Sequence, residues 1–266
     1  MKKERIPVVI SGACGRLGTV LRNLVIEAED LLLVGAVEHP SHVLQGKMIE
    51  EGVILTSVLP AGKYVVVDFS TPEATSQRVA EAVRLGNPMV IGTTGLNEER
   101  MEEIRSAAKL IPIVYGANMS FAVNCFFEIV RRAAELLRGY EVEIVETHHH
   151  FKKDAPSGTA KELARIICEV KEVSPEKNLR FGREGVTGER LPEEIGIHAL
   201  RLGDVVGEHT VIFGKKGELV ELVHRCYDRS AFAAGALDAA RFVWRVPPGI
   251  YSMSEVISGK KKGETL

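Results

Sequence analysis

Residues 143–166, with the sequence EIVETHHHFKKDAPSGTAKELARI, hold three consecutive histidines, two lysines and an aspartate before a Pro-Ser-Gly-Thr turn. Such side chains can bind a metal ion, hold an anion and exchange a proton with it, or form a solvated loop without chemistry. The apolar segments on both sides predict a strand before the cluster and a helix after it.

A metal site at these histidines is not expected. Adjacent residues on a strand point to opposite faces of the sheet, so His148 and His149 are poorly placed to share one ion. Zinc ligands are normally spaced so that their side chains converge, and no cysteine cluster or second histidine–carboxylate motif supports this one. The sequence therefore predicts no metal.

The segment DAPSGTAKELARI favours an anion site. Ser157, Gly158 and Thr159 open an amphipathic helix, and the backbone N–H groups and hydroxyls of such a first turn suit a carboxylate or a phosphate. Lys152 adds a positive charge, and a neighbouring histidine can donate or accept a proton at neutral pH. Taken singly, Ser157 would only cap the helix and the histidines would be solvated, but this alternative explains the whole cluster poorly.

A second candidate site lies near the amino terminus, where SGACGRLG places Gly12, Gly15 and Gly18 between a predicted strand and a predicted helix. Dinucleotide-binding loops use glycines there so that the backbone can approach a pyrophosphate at the helix N-terminus. The spacing is GxxGxxG rather than GxGxxG, and an ordinary glycine-rich turn is the alternative. Glu38 ends the second predicted strand, where an acidic residue binds the ribose hydroxyls; a solvent-facing carboxylate is the alternative there.

Two further strand ends are small and polar, IGTTG at residues 91–95 and YGANMS at residues 115–120. Ligands of open α/β sheets lie at such ends, so these residues are expected beside the nicotinamide. After Glu38, no arginine or lysine occurs before Lys47. Because a 2′-phosphate needs a cation at this position, we expect NADH to be used at least as well as NADPH.

The elements that position these residues divide the chain into two domains. In residues 1–120, apolar strands alternate with amphipathic helices, which predicts an α/β fold with a Rossmann-type parallel sheet. Residues 121–229 contain a long helix, an alternating strand and a hairpin with a Gly-Lys-Lys-Gly turn, which predicts an α+β domain with a mostly antiparallel sheet. Residues 230–266 are expected to pack back onto the first domain, with GKKKGETL as a solvated end.

Composition excludes several classes of protein. The 266-residue chain has a net charge of −2, so it lacks the positive field that recruits nucleic acid. No apolar run approaches the length that spans a membrane. The four scattered cysteines predict reduced thiols in the cytoplasm.

The run ETHHHFKKDAPSGTA resembles the signature of the 4-hydroxy-tetrahydrodipicolinate (dihydrodipicolinate) reductase family, E-x-H-x-x-x-K-x-D-x-P-S-G-T-A. The similarity continues through GACGRLG, VDFSTPE, IGTTG, GANMS, REGVTGER, GDVVGEHTVIF and DRSAFAAGAL, nearly the whole chain. The resemblance implies a two-domain homotetramer that uses NADH or NADPH to reduce a dicarboxylate, the cyclic imine derived from 4-hydroxy-tetrahydrodipicolinate. The product would be tetrahydrodipicolinate, in diaminopimelate and lysine biosynthesis.

Carried over by motif, the resemblance makes His148 the proton donor and acceptor and Lys152 the proton donor. The substrate would contact His149, Ser157, Gly158 and Thr159. The cofactor would contact Gly12, Ala13, Cys14, Gly15, Arg16, Leu17, Glu38, Gly92, Thr93, Thr94, Gly116, Ala117, Asn118 and Met119. His39 stands where many members carry a phosphate-binding arginine, which leaves NADP use open.

Two other interpretations compete with this one. Another two-domain dehydrogenase, acting on an amino-acid semialdehyde, would share the glycine loop but lack the HHxxxKxDxPSGTA run. A non-enzymatic NAD(P)-sensing regulator would keep the fold and lose the lysine and histidine.

Overall fold

The computed structural model describes residues 5–259, which form two compact units. Within the described residues, the first unit comprises residues 5–121 and 229–259, and the second comprises Ala122–Asp228. Of the predicted solvated end GKKKGETL, residues 260–266 lie outside the described residues. Within residues 5–259, no helix has the length and apolar character that crossing a membrane requires.

The strands are β1 (Ile6–Ser11), β2 (Leu31–Val37), β3 (Met48–Glu50), β4 (Val53–Thr56), β5 (Val65–Asp68), β6 (Met89–Ile91), β7 (Pro112–Tyr115), β8 (Glu141–His148), β9 (Leu179–Phe181), β10 (Ile195–Arg201), β11 (Gly207–Lys215), β12 (Glu218–Cys226) and β13 (Gly249–Tyr251). The helices are α1 (Arg16–Glu27), α2 (Pro72–Leu85), α3 (Glu98–Ala107), α4 (Phe121–Leu136), α5 (Gly158–Lys171), α6 (Pro175–Asn178), α7 (Ser230–Val243) and α8 (Met253–Ser258).

The sheet of the first unit has the strand order β13-β7-β6-β5-β1-β2-β4-β3. Every neighbouring pair is parallel except β3 and β4. The chain moves outward from β1 to β2 and then returns to the other side of β1 as β5, so the strand order reverses between β1 and β5. This reversal marks the ligand crevice of doubly wound sheets, and the predicted Rossmann-type domain is confirmed.

The core of this unit explains why its strands are apolar on both faces. All four residues of β5 are buried, and Val8 and Ile10 of β1 are inaccessible to solvent. Helix α7 contributes Ala233 and Ala236 to the same core. Its Gly235 lies against the carbonyl of Met119, where a Cβ would collide with the backbone, so small residues allow α7 to pack closely.

The sheet of the second unit has the strand order β12-β11-β8-β10-β9. The longest pairing is the antiparallel hairpin of β11 and β12, whose turn follows Lys215 as predicted, and β11 is also antiparallel to β8. Strand β10, which the sequence did not indicate, pairs in parallel with both β8 and β9. Its residues do not alternate between buried and exposed, so no period-two pattern marks it. The register places Arg201 opposite His148.

Candidate active site

The loop between β1 and α1 has the geometry of a dinucleotide-binding turn. Gly12 has a φ of 76°, and a Cβ on it would collide with the carbonyl of Phe69 beyond β5. A Cβ on Gly18 would collide with the carbonyl of Gly12, so α1 packs closely on the loop. Gly15 is the N-cap of α1 and has no side chain to cap the first N–H groups. Those groups are therefore suited to a phosphate.

Glu38 lies directly beyond β2 and contacts the glycine loop. Its Oε2 accepts a hydrogen bond of 3.0 Å from the backbone N–H of Cys14, and its Oε1 accepts one of 3.0 Å from the backbone N–H of His39. Burial and the nearby Glu38 carboxylate raise the pKa of the Cys14 thiol. The first hydrogen bond thus brings together Cys14 and Glu38, two of the predicted cofactor residues. The raised pKa keeps the Cys14 thiol protonated at neutral pH.

Hydrogen bonds to a buried aspartate at the end of β5 connect this strand to the residue Thr93, which follows β6. Asp68 is inaccessible to solvent, and its carboxylate accepts hydrogen bonds from the hydroxyls of Ser70 (2.7 Å), Thr75 (2.5 Å) and Thr93 (3.0 Å). The Thr93 hydroxyl also accepts from the backbone N–H of Ser70 at 3.1 Å. Because this hydroxyl is already hydrogen-bonded within the protein, Thr93 would contact a ligand through its backbone.

The remaining predicted cofactor residues differ in exposure. Gly92 lies against the ring of Phe69, and the backbone N–H of Gly116 donates to the carbonyl of Ile91 at 3.2 Å, which places both at one edge of the sheet. Met119 is 1% exposed and its side chain belongs to the core. Further along these loops, Ala13 is buried, Leu17 and Asn118 are half-buried, and Arg16, Thr94 and Ala117 are exposed.

In the second unit, the three consecutive histidines have different environments. His148, the last residue of β8, is 9% exposed, and its Nδ1 is hydrogen-bonded to Oε2 of Glu146. His149 is half-buried, and its backbone N–H donates to the carbonyl of Val205 at 2.7 Å. His150 is exposed and packs on the ring of Phe151. His148 is therefore held by the buried carboxylate of Glu146.

Glu146 is the centre of this cluster. It is inaccessible to solvent, and its Oε1 accepts from the backbone N–H of Ser157 (3.1 Å) and from the Arg201 guanidinium (3.0 Å). Burial favours a higher pKa for Glu146, but the hydrogen bonds from His148 and Arg201 outweigh it and lower the pKa to about 2. The carboxylate is therefore ionised at neutral pH.

His209 of β11 completes the cluster. It is 4% exposed, its Nε2 lies 3.0 Å from Oγ of Ser157, and its ring lies 5.3 Å from that of His148. Burial is the main cause that lowers the pKa of His209 to about 3, so its imidazole is neutral. The ligand atoms of Glu146, His148 and His209 lie within 4.8 Å of one another, close enough for a metal ion. However, the Arg201 guanidinium on the same carboxylate disfavours a second cation.

The loop after β8 leads to helix α5, whose N-cap is Ser157, with its hydroxyl accepting from the backbone N–H of Ala160 at 3.2 Å. Gly158 is exposed and Thr159 is half-buried in the first turn. The Nζ of Lys152 lies 2.9 Å from Oδ1 of Asp154, and this hydrogen bond lowers the pKa of Asp154. A positive side chain and a helix N-terminus thus belong to one short loop.

Three members of this cluster, Glu146, Arg201 and His209, are not among the site residues that the sequence predicts. The sequence does contain one signal for Glu146. It lies two positions before His148, and residues two apart on a strand share a face. No sequence signal indicated that Arg201 and His209 would meet them.

Comparisons with known proteins give the same family for both units. The model "Dihydrodipicolinate reductase, N-terminus" matches residues 6–119, and the model "Dihydrodipicolinate reductase, C-terminus" matches residues 122–257. The 4-hydroxy-tetrahydrodipicolinate reductase of Methanocorpusculum labreanum is 44% identical over 253 residues, covering 95% of this chain and 99% of its own. That of Rubrobacter xylanophilus is 45% identical over 261 residues, covering 95% and 98%.

Solved structures agree with these matches. A dihydrodipicolinate reductase from a Paenisporosarcina species, solved with dipicolinate bound, superposes with a TM-score of 0.76 at 25% identity, covering 93% of this chain and 97% of its own. The NAD complex of GenD2 from gentamicin A biosynthesis, with a TM-score of 0.56 at 14% identity, covers 100% of this chain and 90% of its own and shares the fold alone. This chain belongs to the dihydrodipicolinate reductase family, as do the two 4-hydroxy-tetrahydrodipicolinate reductases compared above.

Proposed function

We propose that this chain is an NAD(P)H-dependent reductase that converts 4-hydroxy-tetrahydrodipicolinate, through its dehydrated cyclic imine, to tetrahydrodipicolinate. The observation that carries the proposal is the loop at residues 148–159, in which His148, Lys152 and the N-terminus of α5 occur together in a chain of this family. The full-length family matches favour this reaction over a semialdehyde dehydrogenase or a regulator.

The residues of the first unit fit a dinucleotide. A side chain at Gly12 or Gly18 would fill the space beside the turn, and the first N–H groups of α1 suit a pyrophosphate. Glu38 would accept hydrogen bonds from the ribose hydroxyls, and the loops at residues 92–94 and 116–119 would border the nicotinamide. When bound, the cofactor supplies a hydride.

NADH is proposed as a cofactor used at least as well as NADPH. The Glu38 carboxylate would repel a 2′-phosphate, and His39 beside it is bonded to Ser41, with Nδ1 2.7 Å from the serine hydroxyl. Steady-state kinetics with both cofactors would test this. A kcat/KM for NADPH tenfold or more above that for NADH would contradict it.

The second unit is proposed to bind the substrate and to supply the proton. Adding a hydride to a conjugated imine leaves negative charge on the substrate framework, which must then be protonated. Lys152 would stabilise that charge and deliver the proton, and His148 would exchange protons at its ring. His149, Ser157, Gly158 and Thr159 would hold the carboxylates through the first turn of α5. The dipicolinate bound in the Paenisporosarcina relative is a ring with two carboxylates, which supports this substrate class.

Domain roles and assembly are proposed from the family resemblance. Residues 1–120 with 230–266 would bind the cofactor, and residues 121–229 would bind the substrate and form a homotetramer in the cytoplasm, without nucleic acid or membrane partners. Light scattering of the purified protein would test the assembly, since a monomer or dimer at assay concentrations would contradict it.

The proposed activity is tested by supplying the freshly made condensation product of aspartate semialdehyde and pyruvate together with NADH. We expect loss of NADH absorbance only when this product is present. Consumption of NADH with aspartate semialdehyde alone would favour the alternative dehydrogenase, and binding of NADH without turnover would favour a regulator.

A further inference from the structure

Glu146 is a buried carboxylate on the face of β8 that is otherwise packed into the core. It lies on β8 on the same face as Val142 and Ile144, both of which are inaccessible to solvent. Burying an ionised carboxylate carries a large desolvation cost unless hydrogen bonds satisfy its oxygens. An apolar residue would serve the core at a lower cost, so this charge calls for another explanation.

The partners of Glu146 belong to the two parts of the proposed substrate site. Its Oε2 bonds to Nδ1 of His148, and its Oε1 accepts from the backbone N–H of Ser157, the N-cap of α5. Arg201 donates to the same Oε1 at 3.0 Å and to the carbonyl of Asp154 at 2.7 Å. One carboxylate thus connects the histidine ring, the helix N-terminus and, through Arg201, the loop that carries Lys152.

The charge of Glu146 also fixes which nitrogen of His148 carries hydrogen. An ionised carboxylate can only accept, so Nδ1 of His148 must be the donor, and Nε2 is left to exchange the proton. A Cβ on Gly207 would lie 3.2 Å from that Nε2, so the glycine of β11 leaves room beside it.

We propose that Glu146 is a positioning residue for proton transfer, which holds His148 in the Nδ1–H form and fixes its ring relative to the N-terminus of α5. This inference rests on the proposed function, because it takes His148 as the group that exchanges the proton. Glu146 itself touches neither substrate nor cofactor in this role.

The test is Glu146→Gln in the full chain. Glutamine keeps the size and one oxygen acceptor but loses the charge that holds Nδ1–H. We expect kcat to fall at least roughly 10- to 100-fold, which is the loss typical when the partner that orients a metal-binding histidine is removed. The dissociation constant of NADH should not change.

In ¹⁵N NMR spectra at a pH where His148 is neutral, the ring should be Nδ1–H in the wild type and shift toward Nε2–H in the variant. An Nε2–H ring in the wild type would overturn the proposal, whether or not the variant folds.

Glu143→Gln is the matched control. Glu143 lies on the same strand but on the other face, where it accepts from Nε2 of His198 at 2.8 Å and from Arg183. The control removes a histidine–carboxylate pair from β8 without touching the proposed site, and kcat should be unchanged. An equal fall in kcat for both variants would mean that Glu146 acts only through the stability of the sheet, which would overturn the proposal.

A double-mutant cycle separates this inference from the proposed function. In a His148→Ala background, Glu146→Gln should cause no further loss of turnover, because its effect is exerted through that ring. A further tenfold loss would overturn the positioning role. If His148→Ala lowers kcat and Glu146→Gln does not, this inference alone fails. If His148→Ala keeps full turnover, the proton-exchange role in the proposed function fails as well.

Discussion

The pKa of Glu146 makes the stability of the second unit depend on pH. A carboxyl whose pKa falls from 4.5 when unfolded to about 2 when folded adds roughly 3 kcal/mol of stability, at about 1.4 kcal/mol per pH unit. Because the folded pKa is the lower one, this contribution is complete above about pH 5 and is lost as the pH falls toward 2. About 2 kcal/mol of it should be lost between pH 6 and pH 3.

Glu146→Gln removes this titration, so the difference in unfolding free energy between the wild type and the variant should shrink by about 2 kcal/mol over that interval. Urea unfolding followed by far-UV circular dichroism at several pH values measures it. Glu143→Gln gives the comparison for a second carboxyl of β8 whose pKa is lowered, since the hydrogen bonds from Arg183 and His198 outweigh burial there too. If wild type and Glu146→Gln lose stability in parallel from pH 6 to pH 3, Glu146 is not held in its ionised form as described.

Three further changes test the glycine loop, the hydrogen bonds of Asp68 and the absence of a functional metal. Gly12→Ala should raise the dissociation constant of NADH at least tenfold in a calorimetric titration, because the new Cβ would collide with Phe69; unchanged affinity would contradict this account of the turn. Asp68→Asn should lower the free energy of unfolding by ~1–3 kcal/mol, since an amide cannot accept from three hydroxyls as the carboxylate does, and a neutral effect would count against that network. Dialysis against EDTA should leave kcat unchanged, whereas a loss restored by zinc would indicate a metal at Glu146 and His148.

Much of the first unit could be predicted because its signals are local. Apolar strands, the capped helix α2 with Pro72 in its first turn and Gly86 at its end, and the spaced glycines each depend on residues close in sequence. The short strand β13 was missed, since three residues carry no periodic pattern and its partner β7 is far away in the chain.

In the second unit, the loop with His148 and Lys152 could be found from residue types, but the group that orients His148 could not. The pairing of β10 and β11 with β8 brings Arg201 and His209 beside Glu146 from positions more than fifty residues away. Such contacts are set by strand register, which a single sequence specifies only through burial on one face. The hydroxyl of Ser157, which was predicted to bind an anion, caps α5 through the N–H of Ala160, as the alternative interpretation expected, and the sequence did not reveal its contact with the ring of His209.

The turnover of two alanine variants tests the claim that His148 and Lys152 carry the proton transfer of an NAD(P)H-dependent reduction. With freshly generated substrate and saturating NADH, we expect His148→Ala and Lys152→Ala each to lower kcat by ~10²–10⁴-fold, with the dissociation constant of NADH nearly unchanged. Full turnover by both variants would contradict the claim.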